Sequence, residues 1–148
     1  MRVHEAQKGE YHMKQAATLT TASLLTILFM TFHLTGDILL RMAPPGLVNL
    51  LAVFIFVVQL YGTLVLGGRR AGYIIIFLGS ALALVVPVVH MKGTRGVIGG
   101  DIGTSSQAFL FVWTILALGI TATFSVILSA SALLSLPWRR SRRASPAA

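Results

Sequence analysis

The sequence predicts an all-α polytopic membrane protein, a four-transmembrane-helix bundle with both termini in the cytoplasm. Hydrophobic residues make up 55% of the 148 residues and charged residues only 11%, whereas soluble domains carry about 25% charged residues. Four apolar segments pass the length test for crossing a bilayer, roughly 18 or more residues. Lysine and arginine collect at the ends of these segments, where the positive-inside rule places them.

The four expected helices span about residues 15–40, 47–66, 71–90 and 106–136. Proline and glycine pairs separate the first three, because these residues end a helix or favour a tight turn. Residues 1–14 form a mixed-charge cytoplasmic lead, and residues 139–148 form a basic, disordered cytoplasmic tail. The transmembrane domain is expected to fill residues 15–138, which leaves no room for a separate soluble domain.

The distribution of positive charge predicts the orientation. Nine lysines and arginines lie in the two terminal segments and the second turn, whereas three lie on the other side, at Arg41, Lys92 and Arg95. This bias places both termini in the cytoplasm and the glycine-rich loop before the fourth helix outside. We expect a multi-pass protein of the cell membrane, in a bacterial inner membrane. Anionic lipid is the expected partner of the cytoplasmic arginines, which are Arg69, Arg70, Arg139, Arg140, Arg142 and Arg143.

The same features exclude several function classes. The net charge of +8 is explained by topology, so we expect no nucleic-acid partner. The absence of cysteine excludes disulfides, thiolate metal sites and cysteine catalysis. No phosphate-cradling loop, zinc-protease motif or dinucleotide fingerprint occurs, and Gly79-Ser80 lacks the second glycine of a nucleophile elbow. No catalytic residue is predicted, and an enzymatic function is not favoured.

A histidine and a carboxylate stand four residues apart near the end of the first helix, at His33 and Asp37. On a helix this spacing places both on one face. Ionisable groups at membrane depth cost roughly 2.5–3.5 kcal/mol by insertion scales, so they usually face a protein interior and have a partner. The small-residue face of the third helix continues to His90, which is the candidate partner.

Four interpretations of these residues remain open. His33, Asp37 and His90 form a ligand set suited to a divalent metal. His33 and His90 could instead bind haem b axially, as in a haem or quinone-linked electron-transfer subunit. Asp37 and Gln59 could belong to a cation or proton pathway. In the structural interpretation, His33 and Asp37 pair along the helix, Arg41 neutralises Asp37, and His90 lies in water.

The leading functional interpretation is a small integral membrane subunit or accessory protein with a polar His/Asp pocket near the outer leaflet. Small residues along the helices favour close helix packing, so a homo-oligomer or a place in a larger membrane complex is expected. Two further polar residues lie within the second apolar segment, Asn49 and Gln59. They are interpreted as interhelical hydrogen-bonding groups rather than ligands.

Overall fold

The computed structural model describes residues 2–39, 46–91 and 106–136. The described part of the chain is all-helical, as predicted. Its four helices are α1 (Arg2–Leu39), α2 (Leu47–Leu64), α3 (Arg70–His90) and α4 (Ser106–Ser135). Most of the first turn, most of the glycine-rich loop and the basic tail, with Arg41, Lys92, Arg95 and Arg139 to Arg143, lie outside the described residues.

Three of the helices are long and apolar enough to cross a membrane, over Gly9–Leu39, Arg70–His90 and Phe109–Ser135. The apolar part of α2, Asn49–Leu64, is shorter. With 18 residues, α2 is about 27 Å long, close to the roughly 30 Å of a hydrocarbon core. The chain is therefore a helical, membrane-type bundle.

The first helix begins at Arg2 and not near Gln15, where we expected it to begin. No proline interrupts this stretch, and the single Gly9 costs a helix only about 1 kcal/mol. Lys14 also pairs with Glu10 one turn earlier, with 2.7 Å between Nζ and Oε1, a spacing that supports helices. The mixed-charge lead therefore continues α1 without a break.

Helices α1 and α3 both pack against α4 and against α2, and they also touch each other across the centre of the bundle. On α3 the buried residues are Gly72, Ile76, Ser80 and Ala83. Glycine allows α2 and α3 to approach closely, since a Cβ atom built on Gly79 would lie 2.5 Å from the Gln59 Oε1 atom. The turn between these helices contains Gly68 with φ 76°, a conformation that favours glycine.

The bundle interior contains two layers of different chemistry. An apolar layer is centred on Ala83, Leu118 and Ala122, which are at most 1% exposed, and partly buried apolar side chains from α1 and α3 pack against it. Towards the amino terminus of α1 and the carboxyl terminus of α4 lies a buried polar layer, which we call the hydroxyl layer. It consists of Ser23, Thr26, Gln59, Thr63, Ser80 and Ser125.

Candidate metal centre

His33 and Asp37 lie at the end of α1, on the face that continues from Thr26. The His33 residue is 4% exposed, and its Nε2 atom lies 3.3 Å from the Asp37 Oδ2 atom. Only 14% of the Asp37 side chain is exposed. The predicted pairing of these two residues on one helix face is therefore present, and both side chains face the protein interior.

His90 reaches the same place from the last turn of α3. Its Nε2 atom lies 3.7 Å from the Asp37 Oδ1 atom, so the carboxylate lies between the two histidines. The other ring nitrogen, Nδ1, lies 3.0 Å from the Val86 carbonyl oxygen. As a carbonyl can only accept, Nδ1 is the donor in this hydrogen bond, which leaves the Nε2 lone pair of the neutral ring free.

The two histidine rings contact each other directly. Their centroids lie 4.7 Å apart with an interplanar angle of 85°. Phe111, in the first part of α4, closes the group, because its ring centroid lies 5.2 Å from that of His33 and 5.8 Å from that of His90. We refer to His33, Asp37 and His90 together as the His/Asp cluster. The structural interpretation expected His90 in water, but it is half-buried in this cluster.

Two buried polar atoms in the described part of the chain have no hydrogen-bond partner, and both belong to the His/Asp cluster. They are the His33 Nδ1 atom and the Asp37 Oδ1 atom. An unpaired buried polar group costs about 1–3 kcal/mol, and native proteins contain few of them. A bound ligand that bonds directly to these atoms would remove this cost.

The donor set fits a divalent transition metal. One ligand atom from each of His33, Asp37 and His90 can be chosen so that all three lie within 4.8 Å of one another. Tetrahedral Zn²⁺ with bonds of about 2.0–2.1 Å holds its ligand atoms about 3.4 Å apart. The separations of 3.3 Å from His33 Nε2 to Asp37 Oδ2 and of 3.7 Å from His90 Nε2 to Asp37 Oδ1 are of this order, and they involve the two different oxygens of the carboxylate.

The same geometry does not fit haem. A bis-histidine haem has one imidazole on each face of the macrocycle, whereas here the two rings touch edge to face. A cavity of about 430 Å³ does lie between α1 and α4, but none of the three cluster residues lines it. Its lining is mostly apolar and aromatic, with Phe29, Phe32, Gly36, Phe111 and Trp113 among its residues. The arrangement of His33 and His90 is therefore not that of a bis-histidine haem site.

Of the remaining predicted polar residues, Gln59 lies away from the cluster. Gln59 is buried in the hydroxyl layer, where its Nε2 atom donates to Ser23 Oγ at 3.4 Å and to Ser80 Oγ at 3.3 Å. Asn49 is half-buried near the start of α2. In the described part of the chain no hydrogen bond joins Asp37 to Gln59, and the apolar layer lies between them. A pathway through both residues would have to cross that layer.

Three contributors were not predicted from the sequence. Phe111 was not singled out, because one aromatic residue in an apolar helix carries no signal of its own. Ser23 and Ser80 were missed as members of the hydroxyl layer. The spacing Ile76, Ser80, Ala83 could have revealed Ser80, since it places the serine on the packing face of α3.

No protein-family model, curated protein or solved structure matches this chain.

Proposed function

We propose that this chain is a small integral membrane protein that binds one divalent transition-metal ion, such as Zn²⁺, through His33, Asp37 and His90. The observation that carries the proposal is the convergence of two imidazoles and a carboxylate from α1 and α3, in which the buried His33 Nδ1 and Asp37 Oδ1 atoms have no hydrogen-bond partner. Imidazole suits Zn, Cu, Fe and Ni, and a carboxylate with two histidines is a common transition-metal ligand set.

The surroundings of His90 support this assignment. Metal-ligating histidines usually donate their second ring N–H to a carbonyl or carboxylate, which fixes the tautomer and the ring orientation. The hydrogen bond to the Val86 carbonyl does this for His90 and leaves Nε2 facing Asp37. Three protein ligands also leave at least one coordination position for water or another ligand.

The test is metal binding by the purified full-length chain in detergent, measured by calorimetry with Zn²⁺ and by elemental analysis. The wild type is expected to bind one ion. His33→Ala and His90→Ala should each weaken binding by more than about 100-fold, because loss of a ligand exceeds the 10- to 100-fold loss typical of a supporting residue. The double variant should do no further damage, since residues that act as a unit are not additive.

Asp37→Asn has a matched control on the same helix. Glu10 also forms a pair at a spacing of four residues, with Lys14, but both side chains are exposed. Asp37→Asn should lower Zn²⁺ affinity by more than about 100-fold, because it removes the charged ligand, whereas Glu10→Gln should leave it unchanged. Equal affinities for wild type, His33→Ala and His90→Ala would contradict the proposed metal centre.

We further propose that the chain resides in a bacterial inner membrane with both termini cytoplasmic, which places the His/Asp cluster near the outer leaflet. The charge bias supports this orientation. A reporter that is active only in the cytoplasm should be active after Ala148 or in Gly67-Gly68, and silent near Gly99. Reporter activity near Gly99 would contradict the proposed orientation. We also propose that the chain associates with itself or with a larger membrane complex, and that Arg69 and Arg70 bind anionic lipid.

A further inference from the structure

The cavity between α1 and α4 lies beside the His/Asp cluster but does not include its ionisable residues. Its volume of about 430 Å³ falls within the roughly 300–1,000 Å³ of small-molecule sites. Phe111 belongs to both places, because its ring contacts the two histidines and also lines the cavity. The cavity is therefore a second candidate ligand site, and it shares one aromatic side chain with the cluster.

The lining of the cavity is rich in aromatic rings from both helices. Phe29 and Phe32 come from α1, and Phe111 and Trp113 come from α4. Glycine brings one of these rings close to α1, since a Cβ atom built on Gly36 would lie 3.0 Å from Phe111 Cδ2. Aromatic rings attract one another in offset and edge-to-face arrangements, beyond the effect of the area that they bury. This lining favours a ligand that contains an aromatic ring.

The rim of the cavity faces the surroundings of the bundle. Phe32 is 55% exposed and Trp113 is 62% exposed, and the two residues lie on different helices. Within a bilayer this surface contacts the acyl chains of lipids, so a ligand can enter sideways from the hydrocarbon core. We therefore expect a ligand that dissolves in the membrane.

The polar side chains among the lining residues are two threonines, Thr35 and Thr114. The Thr35 hydroxyl donates to the Thr31 carbonyl oxygen at 2.8 Å, and the Thr114 hydroxyl donates to the Leu110 carbonyl oxygen. A hydroxyl has one hydrogen and two lone pairs. Both threonines can therefore accept a further hydrogen bond but cannot donate one, so the polar group of a matching ligand is a donor.

From these observations we infer that the cavity binds a membrane-soluble phenol, with its ring among the aromatic side chains and its O–H donating to Thr114 Oγ1. Thr114 is the chosen acceptor because it is only 7% exposed, whereas Thr35 lies at the exposed rim. A phenol combines the ring and the donor, whereas a ketone, an ether or an acyl chain offers no donor. The inference goes beyond the metal centre and does not depend on it.

The experiment uses the purified full-length chain in detergent with Trp138→Phe, which leaves Trp113 as the single tryptophan. The probe is 4-bromophenol, because bromine quenches tryptophan fluorescence at contact distance. The control probe is 4-bromoanisole, in which a methyl group replaces the hydroxyl hydrogen. Saturable quenching of Trp113 is expected, with affinity for the phenol about fivefold higher, the ratio for one neutral hydrogen bond.

Equal affinities for the two probes, or quenching that does not saturate with either, would overturn the inference. The cavity would then take any apolar molecule, including a lipid acyl chain. This comparison needs no substitution inside the cavity, so it does not depend on the folding of a cavity variant. Zn²⁺ binding is measured separately, so a negative result here leaves the proposed metal centre standing.

Thr114→Val tests the acceptor. Valine keeps the shape of threonine but has no hydroxyl, so affinity for 4-bromophenol should fall about fivefold while affinity for 4-bromoanisole stays unchanged. The matched control is Thr123→Val, because the exposed Thr123 hydroxyl also donates to a carbonyl one turn earlier on α4, that of Gly119. This variant should bind both probes like the wild type. Wild-type affinity for 4-bromophenol in Thr114→Val would overturn the assignment of Thr114.

Discussion

The hydroxyl layer and the His/Asp cluster are both buried and polar, but their atoms are partnered differently. In the hydroxyl layer Ser23 and Thr63 lie 2.8 Å apart between their oxygens, and Gln59 donates to Ser23 and Ser80. Thr26 also lies 3.3 Å from Ser125 between their hydroxyl oxygens. Each of the four helices contributes to this network, and no buried side-chain atom of its six members lacks a partner.

In the His/Asp cluster, by contrast, the His33 Nδ1 and Asp37 Oδ1 atoms have no hydrogen-bond partner. The cluster draws its ionisable residues from α1 and α3, and α4 adds the ring of Phe111. This difference helps to distinguish buried polar residues that stabilise a membrane bundle from buried polar residues that bind a ligand. Hydroxyls and amides that satisfy one another hold helices together, whereas ionisable groups inside a membrane bundle that leave buried atoms without a hydrogen bond point to a functional site.

The substitution with the largest expected effect disrupts the hydroxyl layer. Gly79→Leu should lower the free energy of unfolding by about 3 kcal/mol, because overpacking costs this much and the new side chain must displace Gln59 from its two partners. Thermal unfolding in detergent measures it. Leu78→Ala is the control, since Leu78 is 55% exposed and faces away from the interior. If both variants unfold like the wild type, the α2–α3 contact does not hold the bundle together.

A milder change tests the hydrogen bonds alone. Gln59→Leu keeps a side chain of similar length but removes the donor to Ser23 and Ser80. The expected loss is about 2 kcal/mol, since the buried Ser80 hydroxyl loses its partner and an unpaired buried polar group costs about 1–3 kcal/mol. Zn²⁺ affinity should not change, because Gln59 lies across the apolar layer from the cluster. The control is Val57→Leu at an exposed position of α2. A Gln59→Leu variant that loses Zn²⁺ binding would show that the two regions act as one.

The sequence predicted what helical periodicity and hydropathy determine. The helix count and the shared face of His33 and Asp37 follow from a 3.6-residue period. Extending the small-residue stripe of α3 also placed His90 on the packing face, and the structure brings it to the cluster. The continuation of α1 to Arg2 was missed, because hydropathy marks where a helix enters the membrane and not where it begins.

Side-chain networks between helices could not be predicted in the same way. Neighbouring residues such as Gly79 and Ser80 are about 100° apart around the axis of α3. Which of them contacts Gln59 therefore depends on how α3 is rotated about its axis relative to α2. The structure places Ser80 in the hydrogen bond and Gly79 against the Gln59 side chain. Likewise, the approach of Phe111 to both histidines depends on how α4 packs between α1 and α3. Such contacts are set by the tertiary structure.

The smallest expected effect gives the sharpest distinction between the two regions. Replacing His33 and Asp37 together by leucine should leave the free energy of unfolding of the metal-free protein within about 0.5 kcal/mol of wild type, since buried ionic pairs are often exchanged for apolar residues without loss. The substitution also removes both unpaired atoms. Zn²⁺ should raise the thermal midpoint of the wild type through binding to the folded state, but not that of the variant. If the metal-free variant were destabilised as strongly as Gly79→Leu, His33 and Asp37 would form a structural pair. Without metal, replacing them lowers the stability only if their own interaction stabilises the fold.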